Sequence, residues 1–336
     1  MGYLSPGYDT VGVHNRTLIE ENSGGRWHVV VSPNVGGEAG SALHGVACTR
    51  PDDCIAVGDS SDESANTKTL IEQNTGGGWA VVPGPDTRGS LAAIACPSRD
   101  FCVAVGDDEA AGRALIEENT GAGWHVVPSA DVASSIDDRL TAVSCASRTY
   151  CIAVGSSAVT TRRSLPLVEQ RSASAWALVP VPGLGGLAGV ACPAPSECVA
   201  TGGEIYIDEN SKVIVHNLID QLTAGGWATV DNPAGLIGTL GAVACSDPGY
   251  CLSVGAPGLA PPPSVERIDS GWTAATTGNI PESTSSIVGL TCVNRDACIG
   301  VGGQTLGGPS DYIRPQATLI VEHTNTGWTT EDSPSL

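Results

Sequence analysis

Twelve cysteines have the most regular spacing of any chemically active residue type in this 336-residue sequence. They form six C-x5-C pairs that recur about every fifty residues along the chain. Structural zinc sites favour C-x2-4-C knuckles brought together in twos, and six separate C-x5-C pairs do not fit that pattern. A turn between two antiparallel strands, in contrast, places opposed Cβ atoms within disulfide reach. The sequence therefore predicts six local disulfides: Cys48–Cys54, Cys96–Cys102, Cys145–Cys151, Cys192–Cys198, Cys245–Cys251 and Cys292–Cys298.

Acidic side chains cluster in several segments that follow the cysteine pairs. One dense run is Asp107, Asp108 and Glu109, and hard oxygen ligands of this kind can hold Ca²⁺. No D-x-D-x-D-G calcium loop is present, and solvated loop tips are the alternative interpretation. We therefore expect no obligatory cofactor, and Ca²⁺ at these three residues is the one metal site considered.

No motif for nucleophilic catalysis or for nucleotide binding is present. The six histidines show no H-x-x-x-H spacing, and G-x-S-x-G, P-loop and dinucleotide fingerprints do not occur. Paired carboxylates for glycoside cleavage could be assembled from different repeats, but the sequence does not say which would pair. The sequence therefore favours a protein without catalytic residues.

A tryptophan and an acidic residue recur once in each repeat. An exposed tryptophan could stack on sugars, but a once-per-repeat tryptophan usually packs one unit against the next, and packing is expected here. The acidic residue precedes it by seven positions, or six in the last two repeats, and is expected to accept a hydrogen bond from a turn amide or an indole N–H. The tryptophans are Trp27, Trp79, Trp124, Trp176, Trp227, Trp272 and Trp328, and the acidic residues are Glu20, Glu72, Glu117, Glu169, Asp220, Glu266 and Glu322.

Four short apolar runs position these residues in each complete repeat. In the clearest copy they cover 91–96, 102–106, 114–118 and 124–127, and we name them runs a to d. Each is rich in Val, Ile, Ala or Leu and is bounded by turn residues, which predicts four antiparallel strands. Run b ends on a glycine, which indicates a bulge or a positive-φ exit. Four-stranded units with a period near fifty residues predict the blades of a β-propeller.

Seven such units divide a single all-β domain, 1–336. The first contains runs b, c and d but no run a, and its run b is assigned to PGYDTVG at 6–12, with Asp9 near the place of the cysteine. Seven tryptophans imply seven blades with an incomplete first one, and six blades with an appended hairpin are the alternative. The units cover 1–33 (partial), 43–83, 91–128, 140–180, 187–233, 240–281 and 287–334.

The repeat resembles the β-propeller repeats of secreted actinobacterial proteins. Their blades have the form L-x-[AG]-V-[AS]-C-x5-C-[VI]-A-V-G, then L-I-E, then G-W-x-V-V-P, and the likeness covers nearly the whole chain. The resemblance implies the propeller fold and no single activity. In propellers the d–a and b–c loops form the usual ligand face, so the cysteine turns fall on the opposite face. Four arginines also fall there: Arg50, Arg99, Arg148 and Arg295. Three of the four have an acidic neighbour in their own turn (Asp52, Asp100 and Asp296), and pairing within the turn is expected.

Composition limits the partners and the compartment. The formal charge is −20, with 36 acidic and 16 basic residues, which disfavours nucleic acid because phosphate binding needs clustered Lys and Arg. No apolar run approaches the roughly 18 residues needed to span a membrane. Predicted disulfides indicate an oxidising, extracellular location. The first residues lack the basic start and apolar stretch of a signal peptide.

The sequence thus favours a secreted, non-enzymatic binding or adhesion module with a glycan, cell-wall or protein ligand on the loop face. A glycoside hydrolase or polysaccharide lyase that uses loop-face carboxylates is the first alternative. A purely structural interaction domain of a larger secreted protein is the second.

Overall fold

The computed structural model describes residues 2–4, 16–35, 40–62, 64, 66–130, 132, 135–161, 163–207, 213–233, 236, 238–257, 263–269, 271–275, 277, 280, 285–305 and 316–334. These residues form antiparallel strands joined by turns, and they include no helix. A membrane-crossing helix is accordingly not found among them. The predicted all-β class is confirmed.

Seven sheets follow one another along the chain, and hydrogen-bonded neighbours within each sheet are consecutive in sequence. The N-terminal sheet contains β1 (Gly2–Leu4), β2 (Arg16–Ser23) and β3 (Arg26–Val30). Blade 1 contains β4 (Gly40–Arg50), β5 (Asp53–Ser61), β6 (Thr67–Asn74) and β7 (Trp79–Val81). Blade 2 contains β8 (Ser90–Ser98), β9 (Phe101–Asp108), β10 (Arg113–Asn119) and β11 (Trp124–Val127). Blade 3 contains β12 (Asp137–Ser147), β13 (Tyr150–Thr160), β14 (Arg163–Ser172) and β15 (Ala175–Leu178).

The remaining three blades repeat this order. Blade 4 contains β16 (Gly186–Ala194), β17 (Glu197–Ile207), β18 (Val213–Thr223) and β19 (Gly226–Thr229). Blade 5 contains β20 (Gly238–Asp247), β21 (Tyr250–Pro257), β22 (Ser264–Ile268) and β23 (Gly271–Ala274). Blade 6 contains β24 (Ser285–Asn294), β25 (Ala297–Thr305), β26 (Gln316–Thr324) and β27 (Gly327–Glu331).

The β-propeller prediction is confirmed, and the count of six complete blades is favoured over seven. The N-terminal sheet has three described strands, and β1 pairs with β2 at Gly2–Leu4 rather than at the predicted run b, 6–12, which lies outside the described residues. This sheet lies between blades 6 and 1. Glu20 accepts hydrogen bonds from Thr318 (3.2 Å) and Ser333 (3.0 Å) on one side, and Ser32 donates to Glu72 (2.8 Å) on the other.

The hydrophobic core lies in the gaps between successive sheets. One such gap packs Phe101, Val103 and Val105 of blade 2 against Leu140 and Ala153 of blade 3. Run b is buried on both faces because each of its faces contacts a neighbouring sheet or strand. The innermost strands approach closely, since a Cβ on Gly45 would lie 3.0 Å from Cα of Ala93 in the next blade. The small residues of run a therefore permit the close approach that the sequence predicts.

All twelve cysteines form the six predicted disulfides. Each joins the first two strands of a blade next to the turn between them, where the Cα atoms are 4.0–4.2 Å apart. The arginines of these turns correct one expectation. Arg99 contacts Asp53 of the preceding blade (Nε–Oδ2 3.1 Å), and Arg148 contacts Asp100 of the preceding blade, so these ion pairs join blades rather than closing their own turns.

Candidate functional site

We use the word mouth for the part of the loop face where run b ends in each blade. The glycine that closes run b lies against the backbone of run a, and a Cβ on Gly58 would stand 1.9 Å from the carbonyl oxygen of Ala42. The strand register shifts just beyond it, between Leu43 and Gly45. The recurring glycine therefore marks a bulge, one of its two predicted roles, and the same overlap recurs at Gly106, Gly155, Gly202, Gly255 and Gly302.

The residue after each closing glycine and its cross-strand partner differ sharply between blades. In blades 1 to 3 the pairs are Ala42/Asp59, Ser90/Asp107 and Arg139/Ser156. In blades 4 to 6 they are Gly186/Gly203, Thr239/Ala256 and Ser286/Gly303. One half of the mouth thus carries charge and the other half carries small or hydroxyl-bearing residues. We call His44, Asp59, Ser90, Asp107 and Arg139 the charged sector.

Asp59 is the centre of the charged sector because it joins two blades. Its Oδ2 atom lies 2.6 Å from Nε2 of His44 in its own blade and accepts a 2.9 Å hydrogen bond from the hydroxyl of Ser90 in the next. The His44 and Asp59 side chains are 35% and 20% exposed, so both reach solvent. The carboxylate is therefore held in a fixed orientation at an open surface.

Asp107 occupies the equivalent position in blade 2. Burial, more than any other cause, raises its pKa, and the charges of Glu109, Asp137 and Asp59 raise it further, while Arg139 lowers it. Arg139 itself lies 3.6 Å from Asp137. Arg139 thus acts on carboxylates of two successive blades, Asp107 of blade 2 and Asp137 of blade 3.

The order of contacts at Asp59 does not activate a nucleophile. In serine hydrolases the imidazole lies between serine and carboxylate and takes the serine proton. Here the carboxylate lies between Ser90 and His44, and the serine hydroxyl donates to the carboxylate. This arrangement presents hydrogen-bond donors and acceptors, and it gives Ser90 no base through His44.

The predicted calcium ligands are distributed over a turn. Oδ1 of Asp108 accepts hydrogen bonds from the backbone N–H groups of Ala110 (3.0 Å) and Ala111 (3.1 Å). Glu109 is exposed. In the described part of the chain no three His, Cys, Asp or Glu side chains come together as a metal site. Calcium binding by Asp107, Asp108 and Glu109 stays a prediction.

The repeated tryptophans lie between sheets. Each of the six from Trp79 to Trp328 belongs to, or packs against, the hydrophobic cluster that its blade shares with the preceding sheet, and Trp27 contributes to a narrow cleft beside blade 6. The indole N–H of Trp79 donates to Glu21 (2.9 Å) and that of Trp176 to Glu118 (2.8 Å). None of the seven is an exposed platform.

The carboxylate that accepts the hydrogen bond from the indole N–H is one residue later in the sequence than predicted. Glu21 and Glu118 face the following blade, whereas their neighbours face the preceding sheet and accept hydroxyl or amide hydrogen bonds, as Glu169 does from Ser129 (2.6 Å) and Ala130 (2.9 Å). The strand register also shows that the acidic residues of the last two repeats do not occupy the same position as those of the other five. Val265 and Val321 occupy the buried position there, so Glu266 and Glu322 are not equivalent to Glu169.

His44, Ser90 and Arg139 were not identified as site residues from the sequence. The signal that could have found them is positional, because Ser90 and Arg139 immediately precede the first leucine of run a and Asp59 immediately follows the closing glycine. These positions vary most between otherwise regular repeats. Only the bulge and the inter-blade contact bring them together.

Comparison with known proteins supports the fold. No family model and no curated protein sequence matches this chain. Among solved structures, YCF48 bound to D1 peptide is similar with a TM-score of 0.56 and 14% identity, over 90% of this chain and 83% of that one. A mutant Aleuria aurantia lectin in complex with alpha-methyl-L-fucoside gives 0.53 and 10%, over 88% and 96%. The Aleuria aurantia lectin described as a six-bladed β-propeller with a novel fucose recognition mode gives 0.51 and 11%, over 88% and 96%. At these identities the likeness concerns the fold alone.

Proposed function

We propose that this chain is a non-catalytic, extracellular binding propeller that holds a glycan, such as a cell-wall polysaccharide, at the charged sector of the channel mouth. The observation that carries the proposal is the fixed, solvent-reaching Asp59 carboxylate, bridged to His44 and Ser90 from two blades. Sugar hydroxyls both donate and accept, and a site that combines carboxylates, an imidazole and a guanidinium matches both roles.

Two further observations support binding rather than turnover. The serine of the sector donates to a carboxylate, so no imidazole stands ready to take its proton. Solved structures of similar fold include a lectin in complex with a fucoside and a protein bound to a peptide, which supports a glycan or peptide ligand for this fold. The six disulfides favour an oxidising compartment and so a secreted protein.

The test is a titration of soluble cell-wall polysaccharides and an array of glycans against the wild type and Asp59→Asn. The amide keeps the shape of the side chain but loses the charge, and charge-assisted hydrogen bonds are roughly twice as strong as neutral ones. We expect at least a tenfold loss of affinity, on the order of 1.4 kcal/mol. The matched control is Asp100→Asn on the opposite face, where the carboxylate is exposed and contacts Arg148; its affinity should not change.

Three outcomes would overturn the proposal. Unchanged affinity in Asp59→Asn would place the ligand elsewhere, and absence of glycan binding with capture of a protein ligand would select the other partner class. Steady product release from a bound glycan would select the hydrolase or lyase alternative. Chelation in the same titration tests the calcium prediction at Asp107, Asp108 and Glu109.

A further inference from the structure

A row of carboxylates, four of the five buried, lies at the interfaces between sheets on the loop-face side. Its members are Glu20, Glu72, Glu117, Glu169 and Asp220, all at the same place in run c. Glu72, Glu117 and Glu169 are 0% exposed, and Asp220 is 1% exposed. Among the described residues, Glu72, Glu117 and Asp220 have no cation within ion-pair distance. A carboxylate buried without a cation needs hydrogen-bond donors to stay ionised at low cost.

The donor comes from a fixed place in the preceding sheet, five residues after its tryptophan. Ser32 donates to Glu72, Ser129 donates to Glu169, and Ser333 donates to Glu20. At three of the four interfaces where this fifth residue is not serine, the next blade has no glutamate at the position of the row. After Val181, the next blade has the shorter Asp220, which accepts a 2.6 Å hydrogen bond from the hydroxyl of Thr229 in its own blade. After Asn232 and Thr277, the next blades have Val265 and Val321 at this position.

One interface breaks this correspondence. The residue five after Trp79 is Gly84, yet blade 2 keeps a full-length Glu117 opposite it. The hydroxyls of Thr69 and Thr87 lie beside Glu117 and lower its pKa in part, but burial dominates and raises it to about 7. Within the described residues neither of its carboxylate oxygens completes a hydrogen bond. Glu117 is therefore the one full-length glutamate of this row that lacks the serine donor of the preceding sheet.

Among the described residues, no charged group on the elements packed around Glu117 contributes to its pKa. On β6, Lys68 is exposed and contacts Asp86, and Glu72 faces the N-terminal sheet; on the loop after β7, Arg88 donates to Asn66. On its own sheet, Asp107 and Asp108 end β9, Glu118 faces blade 3, and His125 of β11 is exposed. None of these groups contributes to the pKa of Glu117. Ionisation would thus leave a buried charge between blades 1 and 2 with only the hydroxyls of Thr69 and Thr87 beside it.

We propose that the loop-face side of the interface between blades 1 and 2 is the opening point of the propeller, packed while Glu117 is protonated and loosened when it ionises. The opposite side of the same interface is held by the Arg99–Asp53 ion pair (3.1 Å), so the separation occurs towards the mouth. Ser90 and Asp59 bridge this same interface and would move apart. Only that last consequence, loss of the ligand site at higher pH, rests on the proposed function.

The test is amide hydrogen exchange at pH 5.5 and pH 8, corrected for intrinsic exchange, in peptides that cover β6 and β10. The reference peptide covers β14, where Glu169 has donors from Ser129 and Ala130. In the wild type we expect the opening equilibrium at β6 and β10 to rise by about tenfold or more with pH, and that at β14 to change far less. Glu117→Gln should abolish the rise at β10 and reduce it at β6, where the ionisation of Glu72 also contributes.

Gly84 supplies a gain-of-contact test that needs no loss of a buried group. A Cβ at residue 84 would lie 3.9 Å from Oε2 of Glu117 and 3.2 Å from Cδ1 of Ile71, and its φ is not in the left-handed region. Gly84→Ser would place a hydroxyl within reach and should reduce the pH-dependent rise, whereas Gly84→Ala, with the same Cβ and no hydroxyl, should not. The proposal is overturned if the rise at β10 persists in Glu117→Gln, if the serine and alanine variants behave alike at β10, or if β14 opens equally. These readouts involve no ligand, so their failure is separate from failure of glycan binding.

Discussion

The interfaces between sheets and the mouth of the channel are built from the same repeats, but only the interfaces repeat their chemistry. Each described interface contains a tryptophan and an apolar run b, because each must exclude water between two sheets. At the mouth the residue after the closing glycine varies from Asp59 to Gly203. Positions that pack are constrained in every blade, and positions that face solvent are free to diverge. The divergent, charged half of the mouth is therefore where a ligand site is expected.

The largest effect should follow from breaking an interface. Trp176 is 8% exposed, packs between blades 2 and 3, and donates to Glu118, which Arg171 also holds at 2.7 and 2.9 Å. Trp176→Ala should lower the free energy of unfolding by about 3–5 kcal/mol. Trp124→Ala, at a partly exposed equivalent, should cost less. Denaturant unfolding measures both, and a wild-type midpoint for Trp176→Ala would contradict the packing role.

The buried carboxylates should make the interfaces sensitive to pH. Burial raises the pKa of Glu72 and of Glu117 from 4.5 to about 7. Because the folded pKa is higher than the unfolded one, the folded state binds more protons between these values. Its stability is fully present below about pH 4.5 and is lost as the pH rises through 7. Between pH 5 and pH 8 each group should remove about 2 kcal/mol of unfolding free energy.

Denaturant midpoints at pH 5, 6, 7 and 8 check this slope. The control is the double variant Glu72→Gln with Glu117→Gln, whose midpoints should vary less over the same range. Constant or rising stability of the wild type from pH 5 to pH 8 would show that these carboxylates ionise without cost.

A smaller effect is expected at the turns of the opposite face. The Cys145–Cys151 bridge closes a loop of seven residues, and its removal by paired alanine substitutions should cost about 2 kcal/mol on the chain-entropy estimate. Because the turn lies far from the mouth, glycan affinity per folded molecule should stay unchanged. Non-reducing peptide mapping of the wild type should find six local bridges, and free thiols or inter-blade links would refute the pairing.

Much of the fold could be predicted from the sequence because it depends on local patterns that every repeat restates. The strands follow from short apolar runs bounded by turn residues, and the cysteine turns follow from the C-x5-C spacing. The closing glycines are required because a side chain there would collide with run a. The blade count was harder, because the N-terminal sheet completes its contacts through long-range hydrogen bonds such as Ser333 to Glu20. The acceptor of the indole N–H was misassigned by one residue, since a single step along a strand turns the side chain to the other neighbour.

The candidate site could not be predicted because it is assembled across blades. His44, Asp59 and Ser90 are separated by up to 46 positions, and a run-a bulge sets the register that brings them into contact. The arginines show the same limit. Asp100 lies next to Arg99 in the sequence, but Arg99 pairs with Asp53 and Arg148 pairs with Asp100, because the turns of adjacent blades lie side by side.

The measurement that tests the central claim most directly compares glycan affinity in a mouth variant and an interface variant under conditions where both are folded. The mouth variant is Asp59→Asn with Arg139→Gln, and the interface variant is Trp176→Ala. The account predicts that the mouth variant keeps its free energy of unfolding within about 0.5 kcal/mol of the wild type and loses at least tenfold in affinity. The interface variant should be destabilised but should bind the glycan with wild-type affinity. Normal binding by the mouth variant, or binding lost in the folded interface variant, would contradict it.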